Sequence, residues 1–359
     1  MKYYSLTNIL KKKAIYNVII GERSNGKTYA VLDYMLKQFF IDGGQFGIIR
    51  RWAVDIQGRR ASAMFSAINE NNLVAKYSDG QFKLVHYWGG KFYLANYNED
   101  GKVIFNDSNI IGFTFSLSDT EHNKSISYPN IKRVLFDEFI TNGLYLNEEF
   151  VYFMNTLSTI IRQRNDVTIF MCGNTVNKYN PYFTEMGLKH ASKMVQGTID
   201  LYTYGESKLT VAVEYCSTTA KSKPSNFYFA FNNPKLQMIT HGVWELGLFP
   251  HLPVKYKSSQ ILFTFFILFD ENIYQCEIID FNGDIGLYIH IKTTPLQDNK
   301  QDLILTMDYN YKMQYNNFKG LPIIDKIKRL FLLNKVCYQN NEVGNAITNF
   351  MKGVGFIGV

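Results

Sequence analysis

The chain has 359 residues, 46% apolar and 19% charged, a composition that excludes a disordered tail and suggests two domains of ordinary size. A net charge of +7 fits a polyanionic partner and fits simple solubility equally well. Cys172, Cys216, Cys276 and Cys337 lie far apart, which excludes a disulfide framework or a zinc cage by spacing, and the six histidines show no ligand spacing either. The first residues lack a signal-peptide pattern. The longest apolar stretch, Ile261–Phe269, is about half of what a membrane span needs, so no membrane partner is expected.

In chain order, residues 16–20 (YNVII) form a branched apolar run that reads as a buried strand, and they lead into the glycine-bearing residues 21–28. Val31, Met35 and Phe39, with Leu32 and Leu36, recur at helical spacing and predict a helix from inside that loop to about Phe40. Residues 46–50 are the next strand. Residues 80–117 alternate apolar and polar positions, with breaks at Gly89-Gly90 and Asp100-Gly101, and predict hairpins. A loop over 118–130 precedes a strand at 131–136, a helix marked by Phe150, Phe153, Leu157, Ile160 and Ile161, and a strand at 167–172. Strands alternating with helices predict a mainly parallel α/β sheet with helices on both faces. Residues 217–226 are polar and breaker-rich. From about 255, three strands separated by Asp270-Glu271-Asn272 and Asn282-Gly283-Asp284 predict an antiparallel sheet, and the chain turns helical beyond Pro322. The expected division is residues 1–214, a linker at 215–254, and a smaller α+β domain at 255–359.

Gly21-Glu22-Arg23-Ser24-Asn25-Gly26-Lys27-Thr28 fits G-x-x-x-x-G-K-[ST] at every fixed position. Such a loop curls so that its N–H groups, here from Gly21 through Gly26, converge on phosphate oxygens. Lys27 brings positive charge to the β- and γ-phosphates, and the Thr28 hydroxyl ligates Mg²⁺. The expected cofactors are therefore ATP and Mg²⁺. Val134-Leu135-Phe136-Asp137-Glu138 is an apolar strand ending in two acids. Asp137 suits the Mg²⁺ water shell, and Glu138 suits a base that orients and deprotonates the attacking water. Asn174 ends the following strand as a candidate γ-phosphate sensor, with Thr175 as the fallback and an ordinary turn asparagine as the plain alternative. Arg162 and Arg164 close the intervening helix, either as cations favoured by its dipole or as an arginine finger for a neighbouring subunit. Asn177-Lys178-Tyr179-Asn180 lacks the aspartate that reads guanine, which disfavours GTP. Gly353-Val354-Gly355-Phe356-Ile357-Gly358 spells G-x-G-x-x-G without a helix to follow. Lys11, Lys12 and Lys13 read as a solvated turn.

These motifs, in this order and spacing, resemble the genome-packaging ATPases of small short-tailed phages of the Picovirinae type. The likeness extends to Arg50-Arg51, Lys124-Ser125, Tyr128-Pro129, Arg162-Gln163-Arg164 and Asn180-Pro181-Tyr182-Phe183, and more weakly to residues 345–352, so it spans most of the chain. Glu22 departs from it by placing an acid inside the phosphate loop. The resemblance implies an ASCE-type P-loop ATPase that drives double-stranded DNA through the portal of a preformed capsid. It implies a homo-oligomeric ring, typically a pentamer, in the host cytoplasm and docked on the procapsid, with a structural RNA as a further candidate partner. Arg162, Arg164 and Lys124 are its candidate trans-acting residues; Arg50, Arg51, Arg59 and Arg60 are candidate DNA contacts. It also implies a C-terminal domain with a degenerate ribonuclease-H-like fold. An active nuclease of that fold needs an aspartate in the middle of its first strand, and Ile261–Phe269 has none. The competing readings are another phage or plasmid nucleic-acid motor, helicase-like, and a nucleotide-gated binding switch.

Overall fold

The computed structural model describes residues 4–119, 126–217, 244, 247–252, 254–296, 303–307 and 322–355. It divides into two compact units that part after residue 245, inside the span expected as a linker. Of that span, residues 218–243, 245–246 and 253 lie outside the described residues.

Unit 1 begins with a short helix α1 (Thr7–Leu10), then β1 (Tyr16–Gly21), α2 (Lys27–Asp42) and β2 (Gln45–Arg50). Three short helices follow that sequence periodicity did not reveal: α3 (Gly58–Ala63), α4 (Ser66–Glu70) and α5 (Leu73–Tyr77). Next come β3 (Leu84–Trp88), β4 (Lys91–Tyr97), β5 (Val103–Ile104), β6 (Ile110–Ser116) and β7 (Ile131–Asp137). The unit closes with α6 (Glu149–Ile161), β8 (Thr168–Asn174), α7 (Pro181–Glu185), β9 (Ile199–Tyr204) and β10 (Leu209–Tyr215). Its sheet runs β3-β4-β6-β2-β7-β8-β1-β10-β9, with β5 on β4. The centre from β6 to β10 is parallel, and β4 and β9 add antiparallel edges. The hairpin expectation over 80–117 therefore holds for β3–β4, whereas β6 also joins β2 in parallel. Gly112 permits that approach: a Cβ there would meet the Phe46 ring at 2.2 Å.

Both faces of the sheet are covered, because strands buried on two sides need apolar layers on two sides. Along β1, Val18 and Ile20 join the layer of Phe136, Phe153, Leu157 and Ile160. Ile19 joins the opposite layer of Val31, Leu32, Met35 and Leu36 from α2.

Unit 2 comprises β11 (Ile261–Phe269), β12 (Asn272–Phe281), β13 (Asp284–Ile291), β14 (Ile304–Thr306), α8 (Pro322–Leu332), β15 (Val336–Tyr338) and α9 (Asn341–Gly353). The strand order is β14-β11-β12-β13-β15, antiparallel at the centre and parallel at both edges. The hairpin turns are one residue tighter than expected, Asp270-Glu271 and Asn282-Gly283, with all four residues at positive φ. Such pairs match the right-handed strand twist. Ile324 and Ile327 of α8 and Ala346, Ile347 and Phe350 of α9 are buried.

Candidate functional site

The C-terminal ends of β7, β8 and β1 lie side by side, since Gly21 pairs with Asn174 and Asp137 with Cys172. That register gathers the loop after β1, the acids after β7 and the asparagine ending β8 at one sheet edge, where parallel α/β sheets bind ligands. The cleft there has a volume of about 740 Å³, in the range of small-molecule sites.

Within the loop, Ser24 (φ 59°) and Gly26 (φ 90°) take left-handed backbone, which curls the chain toward the start of α2. Lys27 is 5% exposed, and burial pushes its ammonium pKa down. Its Nζ donates to Gly21 O (3.2 Å), Glu22 O (2.6 Å), Asn25 Oδ1 (3.2 Å) and Asn174 Oδ1 (3.1 Å). Thr28 Oγ1 donates to Asp137 Oδ1 at 2.7 Å, which ties the loop to the acidic strand. Burial pushes the Asp137 carboxyl pKa up, while Arg50 and Thr28 favour its ionised form. Glu138 sits at φ 57°, a left-handed turn at the strand end that leaves its side chain 61% exposed. Arg23, Ser24, Asn25, Gly26, Lys27, Thr28, Asp137, Glu138 and Asn174 all line the cleft. Gly21 lies behind it, and its carbonyl also accepts from Thr175 N at 3.2 Å.

Two arginines expected at DNA are placed otherwise. Arg50 Nη2 donates to Asp137 Oδ2 (2.6 Å) and Nη1 to Glu138 Oε2 (2.5 Å), so its guanidinium bridges the two acids. Arg51 is 7% exposed and forks onto Glu149 through Nε (2.6 Å) and Nη2 (2.8 Å). It also donates to Phe139 O at 2.8 Å. Glu149, 1% exposed, accepts further from Tyr182 Oη at 2.6 Å. Arg51 is thus a largely buried strut beneath the Glu138 turn, committed to Glu149, and it also contributes to the cleft lining. Arg59 and Arg60 of α3 are exposed, and Arg60 pairs with Asp55 at 2.5 Å.

Arg162 caps α6, is exposed, donates to Ile126 O at 3.2 Å, and stands outside the cleft lining. Arg164 is anchored on its own unit, to Tyr128 O (3.3 Å), Ile160 O (3.1 Å) and Asp166 (3.3 Å). Lys124 lies outside the described residues. Of the rejected motifs, Asn180 caps α7 by accepting from Phe183 N at 3.0 Å, and Lys11, Lys12 and Lys13 are exposed. Sequence reasoning missed Glu149 and the cleft residues Trp52, Asp55, Thr141 and Asn142. The sequence carried no motif for them: Thr141 and Asn142 sit in the turn after Glu138, and the places of Trp52, Asp55 and Glu149 follow from strand order.

The family described as podovirus DNA encapsidation protein (Gp16) matches residues 1–221. The DNA packaging proteins of Bacillus phages PZA and phi29 are each 24% identical over 348 residues, covering 96% of this chain and 95% of theirs. Among solved structures, the Phi-28 gp11 DNA packaging motor is similar at TM-score 0.56 and 18% identity, over 98% of both chains. The bacteriophage Phi-29 viral genome packaging motor assembly is similar at TM-score 0.56 and 21% identity, over 98% of this chain and 99% of that one. These two likenesses establish a shared fold across both units.

Proposed function

The chain belongs to the podovirus DNA encapsidation protein (Gp16) family, and on that premise we propose an ATP-driven motor that moves double-stranded viral DNA into a preformed capsid. The observation that carries this reading is the 2.7 Å bond from Thr28 to Asp137, which joins the phosphate loop to the acidic strand. Loop amides and Lys27 hold the β- and γ-phosphates. Lys27 exchanges its contacts with Glu22 O and Asn174 for phosphate oxygens, and Asn174 is then free to report the γ-phosphate. Thr28 Oγ1 and Asp137 are hard oxygen donors that fit Mg²⁺, and the ion, when bound, neutralises phosphate charge. Glu138, exposed at the cleft rim, orients the attacking water and takes its proton.

Arg162 acts on a neighbour's nucleotide within a ring, a pentamer by the family resemblance, and its exposure outside its own cleft supports that role. Arg59 and Arg60 are the remaining candidates for DNA phosphates. The portal is the docking partner, a structural RNA is a further one, and the motor works in the host cytoplasm on the procapsid. Among the described residues no helix is long and apolar enough to cross a membrane. Unit 2 is not a nuclease, since the middle of β11 carries Thr264, Phe265 and Phe266 where a metal-binding acid is needed. The test is the ATPase rate with and without double-stranded DNA, with the mass of the assembly in solution. DNA-stimulated turnover by a homo-oligomer, with plasmid left intact in Mn²⁺, is expected. A DNA-indifferent monomer overturns the motor, and Mn²⁺-dependent cleavage overturns the non-nuclease reading.

A further inference from the structure

Tyr4, in the segment preceding β1, reaches the phosphate loop. Tyr4 N donates to Asn25 O at 3.1 Å, and Tyr4 Oη donates to Glu214 Oε2 at 2.6 Å. Glu214 is 8% exposed on β10, in register with Ile19 of β1, the strand that carries the loop. Leu6 and Ile9, 5% and 0% exposed, pin the same segment to the core. Tyr4 is thus held from both sides: its ring hydroxyl by the sheet, and its backbone by the hydrophobic anchor after it.

We infer that Tyr4 is a positioning residue for phosphate binding, which sets the direction of the Gly26 amide by gripping the carbonyl of Asn25. A trans peptide is planar, so its C=O and N–H point opposite ways, and the described chain has no cis bonds. Holding Asn25 O toward Tyr4 therefore turns Gly26 N–H the other way, and Gly26 lines the cleft. The grip matters because Asn25 lies between Ser24 and Gly26, both left-handed, where no helix or strand ladder fixes the peptide. Asn25 extends the effect to Lys27, since its Oδ1 accepts from Lys27 N and Nζ, each at 3.2 Å. The Tyr4–Glu214 bond keeps the grip in place: a buried carboxylate without its donor is costly, so the ring stays seated.

This inference rests on the reading that residues 21–28 bind ATP, and the test separates the two. Equilibrium affinity for ATP with Mg²⁺, and hydrogen exchange at the Gly26 and Lys27 amides, are measured on the full chain well below its melting temperature. Tyr4→Ala is expected to weaken ATP binding about tenfold and to speed exchange at those two amides, with β8 exchange unchanged. Tyr4→Phe, which keeps the ring and the backbone N–H, is expected to lose a few-fold, and it decides the matter if Tyr4→Ala does not fold. Wild-type affinity in both variants overturns the inference. So does weaker binding with faster exchange across the whole sheet, which marks a purely structural role. A wild-type chain that fails to bind ATP overturns the nucleotide site itself and the inference with it.

Discussion

Arg50 binds the two acids at the end of β7, Lys27 binds the phosphate loop and Asn174, and these contacts lead to different expectations. Lys27 touches what the phosphates touch, so Lys27→Ala should abolish ATP binding. Glu138→Gln should bind ATP normally and lose about 10²–10⁴ in hydrolysis rate, because only water activation is removed. Binding measured beside single-turnover hydrolysis separates the two, and normal turnover by Glu138→Gln would take the base away from that residue. Arg50 bridges the acids that a Mg²⁺ ion would meet, at 2.6 Å from Asp137 and 2.5 Å from Glu138. Removing it leaves a buried carboxylate next to a second one. Arg50→Ala should therefore melt earlier in Mg²⁺-free buffer, by roughly 2–4 °C for each kcal/mol lost. Added Mg²⁺ should recover more of that loss in the variant than it adds to the wild type. Equal Mg²⁺ effects on both melting curves would show that arginine and ion do not compete.

At the scale of elements, the strand–loop–helix carrying the phosphate loop, the acidic strand and the one ending in Asn174 were all legible, because each has a local pattern of apolar residues and turn chemistry. What was hidden depends on which strand lies beside which. Arg50 ends β2, and only the pairing of Ile49 with Phe136 reveals that its side chain meets Asp137. Arg51, Glu149 and Tyr182 are distant in sequence and form one buried network under the Glu138 turn. In unit 2 a comparable cluster on β12 and β13 was equally invisible. Glu277, 5% exposed, is held down to about 2 by His290, whose Nε2 lies 3.9 Å away, and by Tyr256 and Gln275 donors. His290 is raised in return. A lowered carboxyl contributes stability that is lost as pH falls from about 4.5 toward 2. A raised imidazole contributes below its ordinary pKa and loses that contribution as pH rises above it. Protection factors of β12 amides should therefore peak between these limits, and Glu277→Gln should flatten the acid limb. An unchanged acid limb would exclude Glu277 as its origin.

At the scale of the whole molecule, the trans role proposed for Arg162, which is exposed and outside its own cleft, predicts a site completed by another copy. Fingers of this kind are worth about 10³–10⁵ in rate. Arg162→Ala should keep the ATP affinity of the isolated subunit and lose DNA-stimulated hydrolysis. Mixed with Lys27→Ala subunits, it should regain part of that rate, since a Lys27→Ala neighbour still offers an intact Arg162 to a competent cleft. Background activity at every mixing ratio, in assemblies of normal mass, would mean that Arg162 acts in its own subunit and would shift the trans role to Arg164 or Lys124.

β1 is buried at all six positions and paired along both edges. In mechanical language it is an anvil: a strand enclosed in this way opens only when the unit itself unfolds, so recoil at the phosphates cannot be absorbed there. Against it lies α2, a rod of about 24 Å by its sixteen residues, seated on the same sheet through Val31, Leu32, Met35 and Leu36. A push at the phosphates is thus borne by helix and sheet together, up to Gly43, where the chain turns back toward β2.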